Sequence, residues 1–161
     1  MNEEFDIVIM RITLQRVRSA DVRVEGREIG RIGQGLLLFV GISPTDNDAV
    51  LQKMAHKVVN LRIFEDEQAK MNLNIQQVEG RLLSISQFTL YADTHRGNRP
   101  SFQDAAKPEL ANQRYQQFNR ELETQLGQSI ATGEFGADMQ INALNDGPVT
   151  INLEINASDL A

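Results

Sequence analysis

A chain of 161 residues, 41% of them apolar, can bury one substantial core but not two, so a single domain is expected. It has no cysteine, which excludes disulfides, a thiol nucleophile and a cysteine-based zinc site, and its two histidines, His56 and His95, lie too far apart in sequence to suggest a metal site. A formal net charge of −6 argues against a protein that coats long nucleic acid such as DNA, no apolar run approaches the roughly 18–20 residues of a membrane span, and Glu3, Glu4 and Asp6 stand where a secretory signal carries basic residues. A soluble, cytoplasmic protein with no metal and no cofactor is the expectation.

From Arg11 to Val24 the sequence alternates as a strand does, with Ile12, Leu14, Val17, Val22 and Val24 as inward positions. Glu25-Gly26-Arg27-Glu28 predicts a hairpin turn, and the near-continuous apolar run from Gly35 to Ile42 predicts a strand covered on both faces. Ser43-Pro44-Thr45-Asp46 supplies a turn and a helix cap, after which Val50, Met54, Val58 and Leu61 recur at helical spacing, predicting a helix over 46–61. Residues 62–64 begin an extended segment and 65–74 read as an exposed loop. Residues 81–91 form a second buried strand that carries Ser86-Gln87-Phe88-Thr89 at its end, followed by a basic loop from Asp93 to Arg99. Leu110, Tyr115, Phe118 and Leu122 predict a second helix between Pro108 and Gly127. Two final strands, 135–144 and 149–155, are joined at Gly147-Pro148. This order of strands and helices predicts a mixed αβ layered domain.

Arginines gather at positions 11, 16, 18, 23, 27 and 31, and a second basic group comprises His95, Arg96 and Arg99, so a local positive surface on an acidic body is expected, although solvated charges on strand faces account for each residue singly. No internal repeat or low-complexity tract interrupts the chain. Hydrolytic signatures are missing: there is neither a Gly-x-Ser-x-Gly elbow nor a His-Glu-x-x-His helix, and neither histidine has an obvious serine-acid partner. A Gly-Pro pair between apolar runs, by contrast, marks a place where the backbone bends within strand-like sequence.

Two short polar motifs stand out, Ser86-Gln87-Phe88-Thr89-Leu90 and Asn145-Asp146-Gly147-Pro148-Val149-Thr150. With Gln15-Arg16-Val17, residues 33–37, Arg62-Ile63-Phe64, Met71-Asn72-Leu73, Arg99-Pro100-Ser101-Phe102 and residues 135–139 in the same order, the chain resembles the D-aminoacyl-tRNA deacylases of the bacterial and eukaryotic type. The likeness spans residues 10–155 as one domain, leaving 1–9 and 156–161 as terminal extensions. It implies a three-layer α/β/β fold and a homodimer with its active site at the subunit interface. The implied reaction is hydrolysis of the ester joining a D-amino acid, or glycine mischarged on tRNA-Ala, to the terminal ribose of tRNA.

Carried onto this sequence, the resemblance lays Ser86, Gln87, Phe88 and Thr89 along the ester, with main-chain N–H groups near Gln87 and Phe88 as oxyanion donors. An aminoacyl ester is already activated, and the terminal 2′-hydroxyl of the tRNA is implied to help activate the attacking water, so no strong protein base is required. Thr89 is a nucleophile by residue type, but without an adjacent base it is better read as a positioning group. Gly147-Pro148 corresponds to a Gly-cisPro chirality filter that enters the partner's active site and clashes with an L side chain. Arg16 is expected to hold that loop, and Phe102 and Met139 to line an adenosine pocket. Read structurally instead, Ser86 to Thr89 are a strand whose hydroxyls bond to backbone, Gly147-Pro148 is a trans turn, Arg16 is an exposed strand residue, and Phe102 and Met139 are core. A hydrolase of small D-aminoacyl esters or amides and a non-catalytic RNA-binding module are the competing functions.

Overall fold

The computed structural model describes residues 9–160. The strands are β1 (Met10–Val24), β2 (Arg27–Ile32), β3 (Gly35–Gly41), β4 (Phe64–Glu65), β5 (Met71–Leu73), β6 (Arg81–Ser86), β7 (Ala131–Thr132) and β8 (Gln140–Ile155); the helices are α1 (Asp48–Asn60) and α2 (Pro108–Leu126). Six strands form one sheet in the order β2-β1-β3-β6-β7, with β8 on β1; β3, β6 and β7 are mutually parallel and the other pairs antiparallel.

The length of β1 creates the layering. One edge of β1 is paired along its whole length with β8, while the other serves β3 through residues 11–17 and β2 through residues 20–24. Irregular register around Arg16 and Arg18 bends the strand, as bulges do. Ile12 and Leu14 before the bend join the core beneath the helices; Val17, Ala20 and Val22 after it join a second cluster with Leu37, Leu83 and Ile85. Successive residues of β3 thus enter opposite cores, Leu36 and Leu38 one, Leu37 the other, which explains its unbroken apolar run. Helices, central strands and the folded-over β1–β2 hairpin make the three layers of a mixed αβ domain.

Both helices lie close to their expected positions. The cap of α1 is Asn47, whose side chain accepts the Val50 N–H at 3.0 Å, and not Asp46, whose carboxylate turns back to Ser43. In α2 Pro108 occupies the first turn and Gly127 closes the helix in the left-handed conformation. Leu110 is only half-buried; Ala111, Asn119 and Leu126 complete the buried face with Tyr115, Phe118 and Leu122.

Four expectations need correction. The segment 65–74 contains half of a small hairpin, β4–β5, fixed by Asp66, which accepts the N–H groups of Gln68 and Lys70. The strand through 81–91 stops at Ser86, and Phe88–Tyr91 are a 3₁₀ turn, because Arg11 and Tyr91 pull that segment onto β1 and β3. The final two strands are one continuous β8 through Gly147-Pro148, since Arg16 fills the irregularity opposite them and pairing resumes on both sides. Residues 135–139 precede β8 as a turn, and Ala131–Thr132 supply an unexpected short strand.

Candidate active site

At the C-terminal ends of the parallel strands β3 and β6 lies a cleft of about 640 Å³. Ser86, Gln87, Phe88 and Thr89 form one side, the Phe102–Lys107 segment a second, and Phe135 to Met139 a third. Val40 and Ile42 provide the apolar floor. Phe102 and Met139 are therefore half-buried lining residues and not interior core.

The Ser86–Thr89 side is held from beneath. The Gln87 N–H donates to the Val40 carbonyl at 2.8 Å, ending the parallel ladder. Phe88 then opens the 3₁₀ turn without a side-chain cap. At the start of such a turn the leading N–H groups have no acceptor within it, and among the described residues neither the Phe88 nor the Thr89 N–H has a partner elsewhere. Of the N–H groups near Gln87 and Phe88, that of Gln87 is committed to Val40, and those of Phe88 and Thr89 have no partner among the described residues.

The rest of the turn is pinned. Arg11 donates to the Leu90 carbonyl at 3.1 Å and lies 5.4 Å from the centre of the Tyr91 ring. The Tyr91 hydroxyl lies 2.9 Å from the Gly41 carbonyl, and burial pushes its phenol far above the usual range. A Cβ at Gly41 would sit 2.7 Å from the Tyr91 ring, so only glycine lets this anchor close. From the helical side, Tyr115 donates to the Ser84 carbonyl at 2.6 Å and Ser84 donates to Asn119 at 2.7 Å; burial raises the Tyr115 phenol too.

Thr89 is exposed, and its hydroxyl accepts from the Gln87 side-chain amide at 3.0 Å. No histidine or carboxylate bonds to it among the described residues. His95 is an exposed loop residue, and His56 lies exposed on α1 beside Asn60. No cluster of three or more metal-ligating side chains occurs among the described residues. Phe88, 56% exposed, meets Phe102 edge-to-face at 5.0 Å between ring centres, forming an aromatic lip.

The cleft's second side hangs from its floor: the Ala106 N–H donates to the Ile42 carbonyl at 3.0 Å, and Ile42 is followed by Ser43, whose N–H and hydroxyl both donate to Asp46. Burial pushes the Asp46 carboxyl up to about 6, against the opposing pull of the two Ser43 bonds and of Arg114. Neither Asp46 nor Lys107, which lines the cleft, was a sequence candidate; a Pro at the start of a helix was the only signal for Lys107.

Arg16, Gly147 and Pro148 stand elsewhere. Arg16 is buried, not exposed, and donates from Nε to the Asp146 carbonyl at 3.1 Å and from Nη1 to the Ile63 carbonyl at 2.7 Å. The carboxylate of Asp146 is 3.6 Å from Arg16 and from Arg18. The Gly147–Pro148 peptide bond is cis, and Gly147 has φ +128°. Both residues are exposed on β8 and neither lines the cleft of its own chain. Arg16 pairs with Leu36 at the start of β3, whereas Val40 at its end floors the cleft, a separation of roughly 13 Å along the strand. Of the six N-terminal arginines, five have acidic partners in Asp21, Glu28, Asp146 or Glu154, with Glu65 also near Arg16, so the expected positive surface there is largely neutralised.

Comparison with known proteins follows the same lines. Residues 13–154 match the family model described as D-Tyr-tRNA(Tyr) deacylase. A solved structure titled c-Myc DNA Unwinding Element Binding Protein is 39% identical, with 91% of this chain and 99% of that one aligned at a TM-score of 0.84. Another, titled as a probable eukaryotic D-amino acid tRNA deacylase, shares the fold at a TM-score of 0.80 and 15% identity, covering 91% of this chain and all of that one (100%). A match across nearly the whole described chain places this protein in the D-Tyr-tRNA(Tyr) deacylase family, as a hydrolase that acts on aminoacyl-tRNA.

Proposed function

We propose that the protein clears D-aminoacyl-tRNA, and glycyl-tRNA mischarged on tRNA-Ala, by a mechanism in which main-chain groups do the recognition and the substrate supplies part of the catalysis. The terminal adenosine enters the apolar cleft between Phe102 and Met139, and the ester carbonyl lies along Ser86–Thr89. Water attacks the carbonyl carbon, and the developing oxyanion accepts from the Phe88 and Thr89 N–H groups. The terminal 2′-hydroxyl helps to activate that water. Collapse of the tetrahedral intermediate expels the ribose 3′-oxygen, which takes a proton to leave a free amino acid and tRNA.

The observation that carries this reading is the uncapped 3₁₀ turn at the cleft: among the described residues, two main-chain donors without partners stand beside a hydroxyl without a base. A threonine in that setting positions its neighbours and does not attack. The Gln87 amide, bonded to Thr89, holds the turn at the ester side of the cleft.

Gly147-Pro148 acts as the chirality filter in the cleft of a second copy. Its distance from its own cleft supports this, as does the character of β8: a sixteen-residue strand at the sheet edge, with Leu144 58% exposed and Val149, Ile151 and Leu153 only half-buried. A long, partly apolar edge invites a partner, and a homodimer covers it. In the filled site the main chain of Gly147-Pro148 grips the substrate's α-ammonium. An L side chain then points at that backbone and clashes, a D side chain points away, and glycine passes. The domain comprises residues 10–155, with 1–9 and 156–161 as extensions outside the reaction.

Mixing two inactive variants tests the arrangement. Phe88→Pro lacks a donor but keeps the filter; Gly147→Ala keeps the donors but spoils the filter. If the filter acts on a second copy, co-refolding the two restores D-aminoacyl hydrolysis in mixed dimers. Mixtures that stay as inactive as their components, with mixed dimers shown to form, refute it.

A further inference from the structure

We infer that the loop from Asp93 to Ser101, with Lys107 beside it, is a docking strap for the RNA sugar-phosphate backbone that precedes, on the 5′ side, the terminal nucleotide held in the cleft. The inference rests on the functional reading above and names the part of the substrate that this rim receives.

The arginines of β1 and β2 differ in their partners from the cations at the cleft. Those of β1 and β2 are mostly spent on local acids: Arg11 on Glu154, Arg16 and Arg18 on Asp146, Arg23 on Asp21, Arg31 on Glu28. On the rim of the cleft the pattern reverses. Arg96, Arg99 and Lys107 are exposed and, among the described residues, pair with no carboxylate. Asp93, the exposed acid at the loop's base, accepts the His95 N–H at 2.9 Å and forms no ion pair with the loop's arginines among the described residues. On a chain of net charge −6, unneutralised guanidinium groups beside an active cleft concentrate positive potential where an anion must arrive.

The loop is also built to hold its shape. Asp93 and Ser101 exchange two main-chain hydrogen bonds of 2.8 Å, closing it at the base, and the Gly97 N–H turns back to the Thr94 carbonyl at 3.3 Å. Its two ends are fixed to the cleft itself. Asp93 follows the 3₁₀ turn that carries Phe88 and Thr89, and Ser101 precedes Phe102, which packs on Phe88. A nucleotide seated between Phe102 and Met139 therefore brings its 5′ phosphates to the strap. Arginine suits that task, because its planar fork holds phosphate oxygens in pairs.

The experiment is a titration of the protein with uncharged tRNA across a series of salt concentrations, which does not depend on chemistry. The double variant Arg96→Ala/Arg99→Ala is expected to weaken binding and to reduce the slope of log affinity against log salt by roughly 0.7–0.9 per arginine. Arg96→Lys/Arg99→Lys retains the charge and restores most of the slope. Arg81→Ala, one arginine removed at the opposite end of β6, leaves the slope of the parent protein. An unchanged slope in the double alanine variant, or an equal fall per arginine in Arg81→Ala, overturns the strap. Failure of the parent protein to hydrolyse D-aminoacyl-tRNA would refute the function instead, while leaving this titration to decide the strap.

Discussion

Arg16 and Asp146 are joined twice, by a 3.1 Å bond from the guanidinium Nε to the main-chain carbonyl and by a 3.6 Å approach to the carboxylate. This fixes the residue immediately before Gly147 from the buried side of β1, so the exposed Gly147-Pro148 unit is held by an arginine that does not line the cleft.

Arg16→Ala leaves the Asp146 and Ile63 carbonyls without their donor and is expected to cost about 2–3 kcal/mol of stability, read from urea unfolding. Arg16→Lys should not recover it, since one ammonium cannot reproduce two fixed directions of the fork. Wild-type stability and hydrolysis in the lysine variant would show that Arg16 provides only charge.

Gly147→Ala puts a Cβ 3.1 Å from the Arg16 Nη2 and 3.0 Å from the Val149 side chain, at a φ of +128° that L residues rarely adopt. A strain of about 1–3 kcal/mol is expected, together with a loss of D-aminoacyl hydrolysis of roughly a hundredfold through misplacement of the filter. Rate assays at matched protein concentration check this; an unchanged rate would remove Gly147 from the site.

Phe88→Pro deletes one main-chain donor where proline is tolerated, because Phe88 is the first residue of its turn and Gln87 before it is extended (ψ 92°). The rate should fall roughly 10²–10³-fold with the fold intact. Phe88→Ala loses the ring but retains the N–H and should fall much less. Equal losses would assign the effect to the aromatic lip. Thr89→Ala, in contrast, should lose less than about tenfold, the worth of one hydrogen bond; a drop to the uncatalysed rate would make Thr89 the nucleophile.

Asp46 gives a prediction with a definite sign. Its carboxyl titrates near 6 in the folded protein against 3.8 for the ordinary group, so the folded state holds a proton that the unfolded state releases in that interval. Its contribution to stability is complete below 3.8 and is lost as pH rises toward 6. Comparing the pH dependence of unfolding for the parent and Asp46→Asn isolates it: the parent should lose stability relative to the variant across that window. The opposite trend would mean that the two Ser43 bonds outweigh burial.

Much of the frame was legible in periodicity. The apolar run of β3 and the spacing of Met54, Val58, Tyr115, Phe118 and Leu122 follow directly from burial on one or two faces. What local pattern could not supply were the effects of distant partners. Arg11 and Tyr91 end β6 early and create the 3₁₀ turn, while Arg16 keeps β8 continuous through a Gly-Pro pair that reads as a break. Ser86–Thr89 do line the cleft, but local pattern could not show that the Gln87 N–H is spent on Val40, because that bond joins two strands far apart in sequence. Lys107 carries only the signal of the proline after it, and nothing local marks the burial of Asp46.

The most direct measurement compares initial hydrolysis rates of D-Tyr-tRNA, L-Tyr-tRNA and D-Tyr-tRNA ending in 2′-deoxyadenosine, all at one protein concentration. Backbone chemistry with substrate assistance predicts rapid loss of the D ester, no action on the L ester, and slow hydrolysis of the bound 2′-deoxy substrate. A 2′-deoxy ester cut as fast as its parent, or an L ester cut as fast as the D ester, would contradict it.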